Sequence, residues 1–323
     1  MTRQPDIPVL ISSAGRRGAL VRAFRQAGGD AGRVIVHACD MDPALSSGCG
    51  LADMAHQVPR CSDQDFIDRI GKIVRENNIR LIIPTIDTEL EVYAAAADRL
   101  IRTGTHVHVS PLQVITTVRD KVRTMQVLDV AGVPVPKTSA EAELRENAAH
   151  CRWPLFGKPV SGSSSRGLGI YNRPEDLPES FSEPMMFQPV LEGPEYTINM
   201  YIDRAGKLRC VIPHLRIQTR AGEVEKGRTE RRSDFRQLAE GIHHALPDAR
   251  GVICFQVIDD ARRGPQVIEI NARFGGGYPL AHHAGARFAD WLIQEMTDQP
   301  LRANDDWRDG VTMLRYDDAV FSG

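Results

Sequence analysis

Glu269, Asn271 and Arg273 stand two residues apart in Ile268-Glu269-Ile270-Asn271-Ala272-Arg273, which runs into Phe274-Gly275-Gly276-Gly277. Side chains of an extended chain alternate between faces, so all three point the same way. A carboxylate beside a carboxamide oxygen suits a hard cation such as Mg²⁺. A guanidinium next to them suits a phosphate. A metal, a phosphate and a glycine-rich turn at a strand end point to phosphoryl chemistry on a nucleotide. The same string also describes a strand with a solvated polar end, so it needs support from elsewhere in the chain.

A second segment supplies some. Phe156-Gly157-Lys158-Pro159 reads as a strand ending in a lysine, followed by the small-residue run Val160-Ser161-Gly162-Ser163-Ser164-Ser165-Arg166-Gly167-Leu168-Gly169. Small residues let backbone N–H groups approach phosphate oxygens, and the lysine adds a point charge. The GxxxxGK[ST] order of a P-loop is absent, and a flexible hairpin loop is the plain alternative. A third segment, Gln188-Pro189-Val190-Leu191-Glu192-Gly193-Pro194-Glu195, interrupts a strand with Pro and Gly. Such an edge can present backbone groups to an adenine while a nearby acid takes ribose hydroxyls. An ordinary loop between strands has the same look.

The elements that must position these residues fall into two patterns. Over about the first 110 residues, apolar strands near Val9–Ser12, Val34–Ala38, Leu81–Pro84 and His106–Val109 alternate with helices near Gly18–Ala27, after a cap at Ser62, and Thr88–Ile101. That alternation predicts an α/β, doubly wound parallel sheet. A helix near Asp120–Ala131 and the seam Val133-Pro134-Val135-Pro136 follow. Beyond it, short strands separated by turns predict an α+β unit: Pro154–Lys158, Leu168–Tyr171, Met185–Pro189, Tyr196–Ile202, Leu208–Pro213, Val252–Ile258 and Gln266–Ile270, with a helix near Phe235–Leu246. We place the boundaries at 1–118 for the first domain, 119–310 for the second with a small lobe at about 134–190, and 311–323 for a C-terminal strand packed on the second domain.

Bulk properties exclude several classes. The 323 residues carry a net charge of −2, which gives no support to a nucleic-acid partner. No apolar run reaches membrane-spanning length, and the N-terminus lacks a signal-peptide pattern. Six scattered cysteines without a CxxC pair read as reduced thiols of a cytoplasmic protein.

Lys121, then Lys158 with its Gly/Ser loop, then Gln188 through Glu195, then Gln256, Glu269, Asn271 and Arg273, stand in the order and contexts of the ATP-grasp superfamily. The chain most resembles the branch of the carbamoyl phosphate synthetase large chain and the pyrrolysine-biosynthesis ligase. The resemblance covers nearly the whole chain. It implies a pre-ATP-grasp domain followed by a two-lobed ATP-grasp domain, and an ATP-dependent ligase joining a carboxylate to an amine through an acyl phosphate. ATP and Mg²⁺ are then the cofactors, with Mn²⁺ as a substitute metal, and a homodimer is a common assembly. By the same resemblance, Lys121 and Lys158 contact the phosphates, and Ser163, Ser164, Ser165, Arg166 and Gly167 close over them. Gln188, Pro189, Val190 and Leu191 form the adenine hinge, with Glu195 as the ribose acid. Gln256, Glu269 and Asn271 ligate metal, and Arg273 stabilises the transferred phosphoryl group. Arg216, Arg220, Glu223 and Lys226 lie in a loop, His214 to Thr229, that resembles the family's active-site strand and loop, with Arg220 assigned to catalysis beside Lys158 and Arg273. Gln256 is neutral where many relatives carry an acid, which puts the number of metals in doubt. Ala272 replaces a usual proline and Cys254 a usual polar residue.

Two rival readings come from other classes. Ser12 to Gly18 lies between a strand and a helix, and Asp40 closes the next strand where a ribose-binding acid belongs, as in an NAD(P)-dependent oxidoreductase. The full GxGxxG is missing, and Arg16 and Arg17 would crowd a pyrophosphate, so the loop is expected to shape the acceptor side instead. A non-catalytic ATP-binding protein is the other rival; it has no need for the Glu269, Asn271 and Arg273 set. Asp87 and Glu89, at the carboxyl end of a strand, either meet the acceptor's amine or are helix N-terminal acids.

Overall fold

The computed structural model describes residues 5–162 and 167–321. Its first sheet is all parallel, with strands β1 (Ile7–Ile11), β2 (Val34–Asp40), β3 (Met54–Gln57), β4 (Leu81–Ile83) and β5 (His106–Val107) in the order β3-β2-β1-β4-β5. The central strands are apolar because helices cover both faces; Leu81, Ile82 and Ile83 are all buried. Helix Gly18–Gln26 buries Leu20, Val21 and Phe24 against one face. Helix Phe66–Asn77 buries Phe66, Ile70, Ile73 and Val74 against the other and stops at Asn78, in left-handed conformation with φ 51°. Its start is later than the Ser62 cap expected: Asp65 precedes the first turn and makes no side-chain capping bond. The chain reverses its winding direction between β1 and β4, so the loops after these two strands flank one crevice.

A four-stranded antiparallel sheet forms the small lobe: β6 (Ser139–Ala140), β7 (Leu155–Pro159), β8 (Gly169–Tyr171) and β9 (Met185–Pro189), ordered β6-β9-β7-β8. A six-stranded sheet forms the large lobe: β10 (Glu195–Ile202), β11 (Leu208–Arg220), β12 (Glu223–Thr229), β13 (Gly251–Asp260), β14 (Gly264–Asn271) and β15 (Thr312–Leu314), ordered β14-β13-β10-β11-β12-β15. The segment expected as a loop over 214–229 is instead the body of a long hairpin. Its backbone is paired between β11 and β12, and β15 covers the outer edge of β12. Charged residues crowd both strands and mask the apolar alternation that would announce them. Ala221 and Gly222, at φ 50° and 78°, make the turn.

Helices Leu112–Arg119, Tyr278–Ala284 and Phe288–Met296, and the exposed edge strand β3, are not anticipated from the sequence. Each is short, and tertiary packing rather than local periodicity holds it. Phe274, Tyr278, Phe288 and Trp291 form an aromatic chain that joins the core beneath β1 and β2 to the large lobe.

The link between the two lobes is pinned to a turn of the large sheet. Glu192 N donates to Asp260 Oδ2 at 2.9 Å and Asp259 N donates to Pro194 O at 2.9 Å. Gly193 passes so close that a Cβ there would collide with the Asp259 carbonyl. Gly193→Ala should therefore destabilise the protein by about 1–3 kcal/mol, the usual cost of forcing atoms into a packed site. Thermal unfolding checks this, and an unchanged Tm would mean that the link readjusts freely.

Candidate active site

The three units meet around one cleft of about 850 Å³. Its floor follows from strand register. Glu269 on β14 lies opposite Gln256 on β13, which lies opposite Thr197 on β10, so the three side chains share a face. Asn271 lies opposite Cys254 one pleat further on. A β-bulge shifts the register between Gln256 and Val257. It brings Ile268 to the cleft along with Glu269 and leaves the Ile268 carbonyl to accept from Lys158 Nζ at 2.9 Å. Simple alternation could not show this last contact.

Lys158 comes from β7 in the small lobe and is buried. Burial pulls its pKa down to about 8; Glu269 and Glu195 oppose the shift and Lys121 adds to it. Lys121 opens the helix Lys121–Val130, which Asp120 caps by accepting from Arg123 N at 2.9 Å. Its ammonium donates to the Gly162 carbonyl and sits 3.9 Å from Glu269 Oε1. Burial lowers the Lys121 pKa too, against the pull of Glu269. Gln188, Pro189, Val190 and Leu191 line the cleft where the chain leaves β9, and Gln188 Nε2 donates to Thr138 Oγ1 at 2.8 Å. Glu195 begins β10 with Oε1 3.1 Å from Arg216 Nε, and burial raises its pKa against that arginine. Arg216 also donates to Thr197 Oγ1 at 3.1 Å and to Gly222 O at 3.0 Å, tying the Glu195 corner to the hairpin turn.

Arg273 spans the boundary with the first unit. Both its Nε (2.9 Å) and its Nη2 donate to the Asp87 carboxylate, and Nη1 and Nη2 reach Phe274 O and Asn271 Oδ1. Burial alone would raise the Asp87 pKa, but Arg273 outweighs it and holds the group ionised. Asp87 is thus the partner of Arg273, with one contact to each carboxylate oxygen, and it lines the cleft. Glu89 is fully buried and accepts from Ser12 and Ser13 hydroxyls and from Thr85 and Ile86 backbone N–H groups, so it holds the two loops of the crevice together.

Arg220 is placed differently from its expected catalytic role. It lies at the hairpin tip outside the cleft lining, exposed, and pairs with Asp317 and Glu225. Lys226 stands opposite Leu314 in the strand pairing. His282 packs against Tyr278, whose hydroxyl is 3.1 Å from Nδ1, and burial lowers its pKa to about 4. Ser163, Ser164, Ser165 and Arg166 lie outside the described residues; Gly162 and Leu168 on either side line the cleft. Arg17 lies in the loop expected to shape the acceptor side but was not singled out as a site residue. It reaches the cleft, 3.2 Å from Glu223 Oε1 and 3.3 Å from Thr85 O. Its position just after β1, at the carboxyl end of the sheet, was the available signal. Asp40, the expected ribose acid of the oxidoreductase reading, is used locally: Oδ2 accepts from Gly15 N and Oδ1 from Met41 N, both at 2.8 Å.

Among the described residues no group of three His, Cys, Asp or Glu side chains could hold a metal by itself. The cleft instead offers an all-oxygen set of one carboxylate, Glu269, and two carboxamides, Gln256 and Asn271. That set fits Mg²⁺ carried in with phosphate oxygens that complete its shell.

The fold and this cleft define a two-lobed nucleotide-binding architecture behind a parallel-sheet unit, and comparisons agree. The family described as an ATP-grasp domain matches residues 118–277, and that described as a PylC-like N-terminal domain matches residues 9–108. The chain belongs to the ATP-grasp superfamily. A formate-dependent phosphoribosylglycinamide formyltransferase of Synechococcus sp. (strain CC9605) is 29% identical over 189 residues, which span 56% of this chain and 44% of that protein. The biotin carboxylase domain of Hydrogenobacter thermophilus 2-oxoglutarate carboxylase, solved with MgADP and bicarbonate, superposes with a TM-score of 0.75 at 19% identity, covering 94% of this chain and 73% of that one. L-amino acid ligase from Bacillus licheniformis superposes with a TM-score of 0.73 at 18% identity, covering 96% and 79%. At such identities the two structures speak for the fold.

The lowered pKa of Lys158 has a measurable consequence. Near pH 8 the free protein holds this amine only partly protonated, and an incoming polyphosphate favours the ammonium. Binding of Mg-ATP near pH 8 to 8.5 should take up protons, whereas at pH 6.5, where the amine is already charged, this uptake should vanish. Titration calorimetry in buffers of different ionisation enthalpy reads the uptake, and Lys158→Met should remove it. Equal uptake in wild type and variant would clear Lys158 of phosphate contact.

Proposed function

We propose that the protein is an ATP-dependent ligase that joins a carboxylate to an amine through an acyl phosphate. The observation that carries this reading is the convergence of Lys121, Lys158, Glu269, Asn271 and Arg273, drawn from both lobes, on one cleft. Carboxylates are poor electrophiles. In the first step a carboxylate oxygen attacks the γ-phosphorus of ATP and the bond to the β-phosphate oxygen breaks, releasing ADP. In the second, the amine nitrogen attacks the acyl carbon, loses a proton, and inorganic phosphate leaves.

Each group has a place in that sequence. Lys121 and Lys158 neutralise charge on the nucleotide phosphates, in a setting dry enough to strengthen the attraction. Val190 and Leu191 line the side for the base, and Glu195, steadied by Arg216, takes the ribose. Bound with the nucleotide by Glu269, Asn271 and Gln256, Mg²⁺ supplies further charge neutralisation, and Mn²⁺ can substitute for it. Arg273, aligned by Asp87, faces the transferring group. The neutral Gln256 favours a single tightly held metal. The names of two similar proteins support the chemistry: one is formate-dependent, formate being a carboxylate, and the other is an amino acid ligase. The six cysteines are free, in keeping with a reducing, cytoplasmic setting.

Hydroxylamine is the direct test, because it traps an acyl phosphate as a hydroxamate. With Mg-ATP and the right carboxylate from a screen of amino acids and small organic acids, ADP and hydroxamate should form in equal amounts. Glu269→Ala should lower that rate by about a hundredfold or more, the loss typical of an electrostatic group at a transferring centre, with Tm little changed. Mg-ATP binding without ADP release across the screen would favour the binding-protein reading. A thermal shift with NAD(P)H but not Mg-ATP would favour the oxidoreductase.

A further inference from the structure

A second cavity, of about 410 Å³, lies beside the active-site cleft, between the hairpin tip, the helix Gly18–Gln26 and the C-terminal segment. The two hollows share a wall, since Arg17, Glu223, Val224, Gly275 and Gly276 line both. Ion pairs hold this wall. Glu223 bridges Arg17 at 3.2 Å and Arg315 at 3.3 Å, and Arg315 also donates to the Gly276 carbonyl. Burial would raise the Glu223 pKa, but Arg17 and Arg315 outweigh it and keep the carboxylate charged.

Five guanidinium groups converge on the second cavity: Arg16, Arg17, Arg22, Arg220 and Arg315. The carboxylates that face them have two origins. Glu223 and Glu225 belong to the hairpin, whereas Asp317 and Asp318 arrive on the segment that follows β15. Asp317 accepts from both Nη atoms of Arg220, the nearer at 2.6 Å, and Asp318 lies 3.9 Å from Arg22. Without these two aspartates, five cations would face two anions. The aspartates are also the easily displaced members of the set: their side chains are 83% and 60% exposed, and exposed ion pairs hold weakly in water. The segment that bears them crosses from the hairpin to the first unit, where Val320 packs over Gly50.

We propose that the second cavity binds the anionic end, carboxylate or phosphate, of the acceptor substrate, and that Asp317 and Asp318 occupy its arginines as an intramolecular competitor until that end displaces them. The Arg17–Glu223 wall sets this anion site directly beside the cleft that holds Arg273. The word acceptor rests on the ligase reading; the anion site itself does not, and it is tested by binding alone.

Inorganic phosphate and citrate are the probes, titrated by calorimetry into the wild-type chain and into D317N/D318N. If the segment covers the arginines nine-tenths of the time, freeing them tightens binding about tenfold. That gain for phosphate points to a phosphorylated acceptor, and for citrate to a polycarboxylate. Adding R22Q/R220Q to the double variant should abolish it. A chain ended after Tyr316 should reproduce the gain by removing the aspartates altogether. Unchanged affinity for both probes, or a gain that survives R22Q/R220Q, overturns the proposal. Mg-ATP binding, followed in the same samples, should be equal in wild type and D317N/D318N. Failure of the wild type to bind Mg-ATP would sink the ligase reading and leave the anion site standing.

Discussion

The bidentate contact between Arg273 and Asp87 is the constraint on which the rest of the site depends. Both groups are buried, one at the end of the strand that carries Glu269 and Asn271, the other at the carboxyl end of the parallel sheet. A buried pair of this kind adds little net stability, because desolvating two charges offsets most of their attraction. Its effect is positional. Loss of either partner would strand a charge in the interior, so the two units hold one mutual register, and the face of the large sheet that carries Glu269 and Asn271 is presented to the crevice between β1 and β4.

The cleft and the cavity beside it carry cations of different character. Lys121 and Lys158 in the cleft are compact point charges whose burial lowers their pKa. A nearby anion would favour their charged form. From Arg273 towards the second cavity the cations are arginines, each already engaged by a carboxylate: Arg273 by Asp87, Arg17 and Arg315 by Glu223, Arg220 by Asp317. Such paired guanidiniums keep a fixed direction. The lysines are therefore poised electrostatically, and the paired arginines geometrically.

Glu89 shows how the crevice itself is kept open. One buried carboxylate gathers Ser12, Ser13, Thr85 and Ile86, so the loops after β1 and β4 cannot drift apart without leaving it unpaired. Asp40 ties the loop after β1 to the end of β2 in a similar way, accepting from Gly15 N and Met41 N.

The amino-acid sequence alone determined those parts of the protein that depend on local repetition. Apolar runs identified the parallel sheet, and the two-residue period aligned Glu269 and Asn271 on one face, because both follow from backbone geometry that neighbours in the chain enforce; the strand ends at Asn271, so Arg273 lies beyond that period. The ordered lysines and carboxamides then made the family legible. Only the tertiary structure decided what depends on a partner distant in the chain. It gave Asp87 to Arg273 across 186 residues, released the Ile268 carbonyl to Lys158 through a bulge, turned the arginine-rich 214–229 segment into a hairpin with Arg220 at its outer tip, and brought Arg17 and Arg315 to the same carboxylate. Long side chains choose among several charges within reach, and which charge is within reach is settled by packing between units, which no local pattern of residues encodes.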